Sequence, residues 1–203
     1  MMSSGLLIVI SGPSGVGKNT VINNLFNLRS QLKYSISATT RKPRPNEIDG
    51  QHYFFLTETE FQNRIKNGDF LEWAKVYEYY YGTPRQYVQN LLQAGHDVVL
   101  DIDVQGGKQI KRSMPEAVLI FLAPPSMTEL KNRLRGRNTE SETELTKRIR
   151  YIETEFESIP FYDYLVINRE IDLTCELIEC IIQAEKSKVK RIEPNLVKKI
   201  LNS

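Results

Sequence analysis

Between an aliphatic run at residues 6–10 and apolar residues at helical spacing (Val21, Ile22, Leu25, Phe26), the chain carries Gly12-Pro13-Ser14-Gly15-Val16-Gly17-Lys18-Asn19-Thr20. Glycines at 12, 15 and 17 let successive main-chain N–H groups converge on one anion. The start of the following helix adds the positive end of its dipole, and Lys18 adds a full charge. Strand, glycine loop and helix in this order make a P-loop, which cradles the polyphosphate of ATP. The position after the lysine ordinarily carries a hydroxyl that meets Mg2+. Asn19 offers an amide instead, so the metal is expected to be held through water, with Thr20 contacting the α-phosphate.

A second group of residues suits an acceptor. In Ser37-Ala-Thr-Thr-Arg41-Lys-Pro-Arg44 two arginines stand three apart on a segment stiffened by Pro43, and forked donors on a rigid loop match a dianionic phosphate. Tyr53, Tyr80 and Tyr81 offer phenolic donors, and Gly82 allows a ligand to approach the main chain. An exposed basic loop over core tyrosines would have the same composition, and spacing alone leaves both readings open. Carboxylates come from Glu72, between Leu71 and Trp73, and from Asp101-Ile102-Asp103, where strand alternation sends both aspartates to one face. Acids at the end of a buried strand are costly without partners, and ligands of open α/β sheets sit at that end. The pair is therefore expected to serve metal or substrate rather than a structural salt bridge, with Asp101 the metal candidate, in part through water.

These groups need a scaffold. Aliphatic runs at 6–10, 98–102, 118–122 and 165–167, separated by helical segments, predict an α/β protein with a buried parallel sheet. Two helical stripes, Leu145/Ile149/Ile152/Phe156 and Leu173/Leu177/Ile178/Ile181/Ile182, are expected to face the core. Residues 34–87 break the rhythm with Pro43, Pro45, Gly50, Gly82 and Pro84 among short β-type runs, predicting an inserted, mainly β region. Residues 126–157, rich in Arg and Glu, read as a helical lid, leaving a core of 1–33, 88–125 and 158–203. With 203 residues, 40% hydrophobic and 26% charged, one domain with a real core is expected. Twenty-seven basic against 25 acidic residues leave a net charge of +2, no field that points to nucleic acid or membrane. Lys186, Lys188, Lys190 and Arg191 fit a solvated helix end better than a nucleic-acid patch. The apolar run near the start is too short to span a bilayer and lacks signal-peptide flanks, so a cytoplasmic protein is expected. Cys175 and Cys180, five apart on a helix, are expected to be reduced, and two histidines offer no zinc-site spacing.

Over residues 5–185 the chain resembles guanylate kinase, a nucleoside monophosphate kinase. The resemblance rests on Gly12-Pro-Ser-Gly-Val-Gly-Lys18, Thr39-Thr-Arg41-Lys-Pro-Arg44-Pro, Leu71-Glu72-Trp73, Tyr80-Tyr81-Gly82-Thr83, Leu100-Asp-Ile-Asp103-Val-Gln-Gly106, Ala123-Pro-Pro-Ser126 and Arg133-Leu-Arg-Gly-Arg137, in that order. It implies a P-loop three-layer fold with a central parallel sheet, a mainly β GMP-binding insertion and a helical lid. Arg41, Arg44, Tyr53 and Tyr81 would bind the GMP phosphate, and Ser37, Glu72, Thr83 and Asp103 would surround its base. Arg133, Arg137 and Arg148 would close over the triphosphate, and Asn168 would lie near the ATP purine. Transfer from ATP with Mg2+ to GMP or dGMP would be direct and in line, carried by Lys18, Arg41, Arg44, Arg137 and Arg148. Two other functions have weaker support. An interaction module of this fold would be expected to lose the cradle lysine or the lid arginines, which are present, and a kinase for another nucleotide would not need both Glu72 and Asp103. The oligomeric state is not fixed by the sequence.

Overall fold

The computed structural model describes residues 5–29, 31–76, 78–135, 151–192 and 198. Strand β1 (Leu7–Ser11) is buried along its whole length, so both of its faces must be covered. Ile8 and Ile10 pack toward α1 (Lys18–Leu28) with Val21, Ile22 and Leu25. Leu7 and Val9, pointing the other way, meet Val88 and Leu92 and then Ile110. This alternation builds two cores, one on each side of a five-stranded parallel sheet.

Next in the chain come β2 (Leu32–Tyr34), β3 (Ala38–Thr39), β4 (Phe54–Phe55), α2 (Glu58–Asn67), β5 (Phe70–Val76), β6 (Tyr79–Pro84) and α3 (Arg85–Gln93). They are followed by β7 (Asp97–Asp101), α4 (Val104–Ser113), β8 (Val118–Ala123) and α5 (Met127–Arg135). Residues 151–156 are helical (α6), and β9 (Tyr164–Ile167) and α7 (Ile171–Lys186) follow. The parallel sheet runs β2-β7-β1-β8-β9. In register, Ile10 lies between Asp101 and Ile120. The carboxyl ends of β1 and β7 therefore meet at one edge, beside the switch in strand order where α/β proteins place ligands.

A second sheet, β4-β3-β6-β5, stands apart with its own small core. Phe61 of α2 stacks on Phe70 with ring centroids 4.5 Å apart. Helix α2 is well delimited: Thr57 and Glu60 form a capping box and Gly68, at φ 72°, closes the other end.

The structure adds to the expected elements at two points and corrects them at one, the outer face of α7. β2 is a parallel edge strand that the sequence pattern did not reveal. On α7, Ile178, Ile181 and Ile182 are buried, but Leu173 and Leu177 are 58% and 48% exposed. The basic cluster is not simply solvated. Lys186 Nζ donates to Asp97, which also accepts from Leu6 N and is 1% exposed; Lys188 and Arg191 meet Glu185, and Lys190 meets Glu116. The pairs with Asp97 and Glu116 tie the end of α7 to the edge of the sheet opposite the carboxyl ends. Of the other stripe, Ile152 is buried against Leu130 and Leu134, while Leu145 and Ile149 lie outside the described residues. Both cysteines are free, Cys175 buried and Cys180 exposed. No helix among the described residues is long and apolar enough to cross a membrane.

Candidate active site

The loop between β1 and α1 is held open by its backbone. Gly17 occupies the N-cap of α1 at φ 97° with no side chain capping the helix. A Cβ there would lie 2.8 Å from Asn168 Nδ2, so both conformation and space require glycine. Lys18 folds back, its Nζ donating to Gly12 O at 2.6 Å. The loop is braced from behind: Val16 O accepts from Asn168 Nδ2 at 2.8 Å and from Arg133 Nη1 at 3.3 Å. Thr174 Oγ1 in turn donates to Asn168 Oδ1 at 3.1 Å. Asn168, 4% exposed, thus spends its amide on the loop, and Arg133 is further paired with Glu129.

In front of the loop lies a cleft of about 860 Å³. Gly12, Ser14, Lys18 and Asn19 line one end, and Ser37, Arg41, Arg44, Tyr53 and Tyr81 the other. Glu72, Asp101 and Asp103 form part of the wall between them. Pro13, Gly15, Val16 and Gly17 frame the loop outside the lining, and Thr20 is exposed on α1. Tyr80 does not reach the cleft; it stacks on Phe61 at 5.5 Å. Arg137 and Arg148, and the glutamates around them, lie outside the described residues.

The acids are placed by two contacts. Gln109 of α4 brackets the main chain of Trp73, accepting from its N at 3.2 Å and donating to its O at 2.8 Å, which ties β5 to α4. Gly106 then leaves room for Glu72, since a Cβ at 106 would come within 2.7 Å of Glu72 Oε2. Thr83, fully buried behind Glu72, donates its hydroxyl to Oε1 at 2.6 Å. Asp103 caps α4 through Oδ1, which accepts from Gly106 N at 2.8 Å. Its Oδ2 is buried with no hydrogen-bond partner among the described residues. An acceptor so placed signals a ligand, because a buried, unpaired carboxylate oxygen is otherwise a net cost.

Burial pushes the Glu72 carboxyl up to about 7, and the neighbouring Asp103 adds to the shift against the Thr83 hydrogen bond. Asp101 is raised by burial and opposed by Lys18. Among the described residues no cluster of three His, Cys, Asp or Glu could hold a metal ion. A Mg2+ carried by phosphates and waters needs only one or two carboxylates, which Asp101 beside Lys18 can supply. Glu155 of α6 was not foreseen. It lines the cleft, and burial raises its carboxyl to about 7 against the pull of Lys18. Three glutamates alternate at 153, 155 and 157, so nothing in the sequence singled it out. Tyr34 and Glu47, also unforeseen, line the same cleft.

The family model described as guanylate kinase matches residues 4–185. A guanylate kinase from Caldanaerobacter subterraneus subsp. tengcongensis is 52% identical over 187 residues, covering 92% of this chain and 91% of that one. One from Clostridioides difficile is 46% identical over 198 residues, covering 98% and 97%. Among solved structures, the guanylate kinase from Anaplasma phagocytophilum superposes with a TM-score of 0.75 at 34% identity, covering 94% of this chain and 90% of that chain. The SH3-kinase fragment of tight junction protein 3, at 9% identity and a TM-score of 0.50, shares the fold alone. With the P-loop, the arginine loop and the acid pair all found in one cleft, the chain belongs to the guanylate kinase family.

Proposed function

We infer that this chain transfers the γ-phosphoryl group of ATP to GMP, and to dGMP in the same way, giving ADP and the nucleoside diphosphate. The observation that carries this reading is the acid pair: Glu72 on the wall of the cleft, and Asp103 with a buried, unpartnered Oδ2. Guanine presents N1–H and a 2-amino group as donors, and two carboxylates complement them; adenine presents an acceptor at N1. Hydrogen-bonding sites reject analogues that leave their buried groups unpaired, by up to about four orders of magnitude.

Residues 34–87 serve as the GMP-binding region and 126–157 as the lid. Arg41 and Arg44, with Tyr53 and Tyr81, hold the GMP phosphate and direct one of its oxygens toward the P-loop end. Ser37 and Thr83 assist at the base, Thr83 by holding Glu72. Lys18 leaves Gly12 O for the β- and γ-oxygens of ATP, while the amides of the loop and of α1 take the remaining charge. The acceptor oxygen bonds to the γ-phosphorus as the bridge to the β-phosphate breaks, and the leaving charge stays on ADP. No side chain need remove a proton, because the attacking phosphate is already ionised. Asp101 would help hold Mg2+, which adds charge neutralisation on the transferring group. Arg133, Arg137 and Arg148 complete the donor set on closure, and water is excluded as an acceptor. Asn168 acts on the ATP side through the loop it braces. The setting is purine nucleotide metabolism in the cytoplasm.

ADP formation from ATP, followed with and without GMP, tests the reading. GMP-dependent turnover in the native chain, lost in Lys18→Ala, supports it; turnover that ignores GMP or survives the substitution contradicts it.

A further inference from the structure

The segment after Arg41 is a built turn. Glu47 N donates to Arg44 O at 3.0 Å, with Pro45 and Asn46 between them. Asn46 is the only non-glycine residue of positive φ among the described residues, at 71°. Proline followed by a residue of positive φ is the signature of a type II turn. That turn sends the Glu47 side chain back across the loop, where Oε1 and Oε2 accept from Arg41 Nη2 and Nη1 at 2.8 and 2.9 Å. Oε2 also accepts from Arg44 N at 2.7 Å. One carboxylate thus holds the side chain of the first arginine and the main chain of the second.

The guanidinium has five N–H donors in a fixed fork. Glu47 takes one on each terminal nitrogen, and Lys42 O takes another on Nη1 at 2.8 Å. The edge formed by Nε and Nη2 carries the two remaining parallel donors, with the Tyr81 hydroxyl as the further side-chain partner of the guanidinium. The Tyr53 ring lies beneath the guanidinium, its centroid 5.4 Å from Cζ, and Arg41, Tyr53 and Tyr81 all face the cleft. The ion pair is well covered, with 12% and 17% of the two side chains exposed.

We propose that Glu47 is a positioning residue for the acceptor phosphate: it fixes Arg41 by one edge so that the other stays aimed into the cleft, and it anchors the Arg44 main chain. This rests on the reading of Arg41 and Arg44 as the GMP-phosphate site. Charge and orientation predict opposite outcomes. Glu47 lowers the net charge beside a dianionic substrate, so attraction alone would make its removal tighten binding. Orientation of a bidentate donor predicts that removal weakens it, since an unheld guanidinium must be ordered by the ligand at the cost of side-chain freedom.

The test is Glu47→Gln, whose amide accepts from only one terminal nitrogen and turns a donor toward the other. KM for GMP should rise about 10-fold while KM for ATP stays within about twofold. Guanosine binding by calorimetry should be unchanged, because guanosine has no phosphate for Arg41. Glu47→Asp, which keeps the charge but withdraws it by one methylene, should give a smaller rise in KM for GMP. An unchanged or lower KM for GMP in Glu47→Gln overturns the proposal, as does a parallel loss of guanosine affinity, which would mark a role confined to folding. Arg41→Met distinguishes the underlying reading: if it too leaves KM for GMP unchanged, the phosphate-site assignment itself fails.

Discussion

Glu72 is held in a state that costs the fold, and Glu72→Gln should expose that cost. The carboxyl is 5% exposed and its pKa is raised to about 7 from 4.5. A carboxyl whose folded pKa lies above its unfolded value favours the folded state when protonated, and that advantage is lost as pH rises through the folded pKa. Roughly 2.5 units at 1.36 kcal/mol per unit give about 3 kcal/mol of destabilisation near pH 8, falling to under about 1 kcal/mol by about pH 5. Glutamine carries no charge and keeps an acceptor for the Thr83 hydroxyl. In a domain of this size each kcal/mol moves Tm by about 2–4 °C, so the variant should melt up to about 10 °C above the native chain near pH 8 and close to it near pH 5. Turnover should move the other way. An amide cannot accept from both guanine donors, and kcat/KM for GMP should fall at least about 100-fold. Scanning calorimetry at the two pH values, paired with initial rates, reads both quantities. A variant that melts at or below the native chain near pH 8, or with a Tm gap that does not shrink on acidification, would refute the assignment of buried charge to Glu72.

The same carboxyl predicts a pH dependence: KM for GMP should climb as pH falls below about 7, approaching tenfold per unit, while KM for ATP changes less. Asp103→Asn should keep Tm, because asparagine caps a helix as well as aspartate does, yet raise KM for GMP about 10- to 100-fold by turning a donor toward guanine. Asn168→Ala removes the brace on Val16 O and should lower stability by about 1–3 kcal/mol while raising KM for ATP more than KM for GMP, as measured by melting and initial rates. Asp97→Ala, at the opposite edge of the sheet, strands Lys186 and Leu6 N and should cost about 3 kcal/mol in denaturant titration, with both KM values unchanged.

The legible features were those whose chemistry restricts the residue. A left-handed N-cap hard against Asn168 admits only glycine, so Gly17 and its companions announced the loop. The aliphatic runs marked four of the five core strands, but β7 ends at Asp101, so Asp103 reaches the cleft as the N-cap of α4 and not by strand alternation. β2 escaped because three residues, with only Leu32 buried, carry no period. Leu173 and Leu177 misled because they lie about 100° or more around α7 from Ile178, flanking the packed stripe rather than within it. The direction of the Asn168 amide and the Glu47 fork depend on side-chain partners distant in the chain or set by a turn, which composition does not encode. The guanine-binding role proposed for Glu72 came through the resemblance, since a lone acid between Leu71 and Trp73 has no distinguishing pattern.

Acceptor choice is where the central claim is most exposed. ADP formation from ATP should be compared with GMP, dGMP, AMP, CMP and UMP under one set of conditions. If the Glu72 and Asp103 carboxylates read the base, kcat/KM for GMP should exceed that for AMP by at least about 1000-fold, and a combined Glu72→Gln, Asp103→Asn variant should lose most of that margin. Comparable rates across the acceptors, or a margin that survives both substitutions, would mean that guanine is chosen elsewhere or not at all.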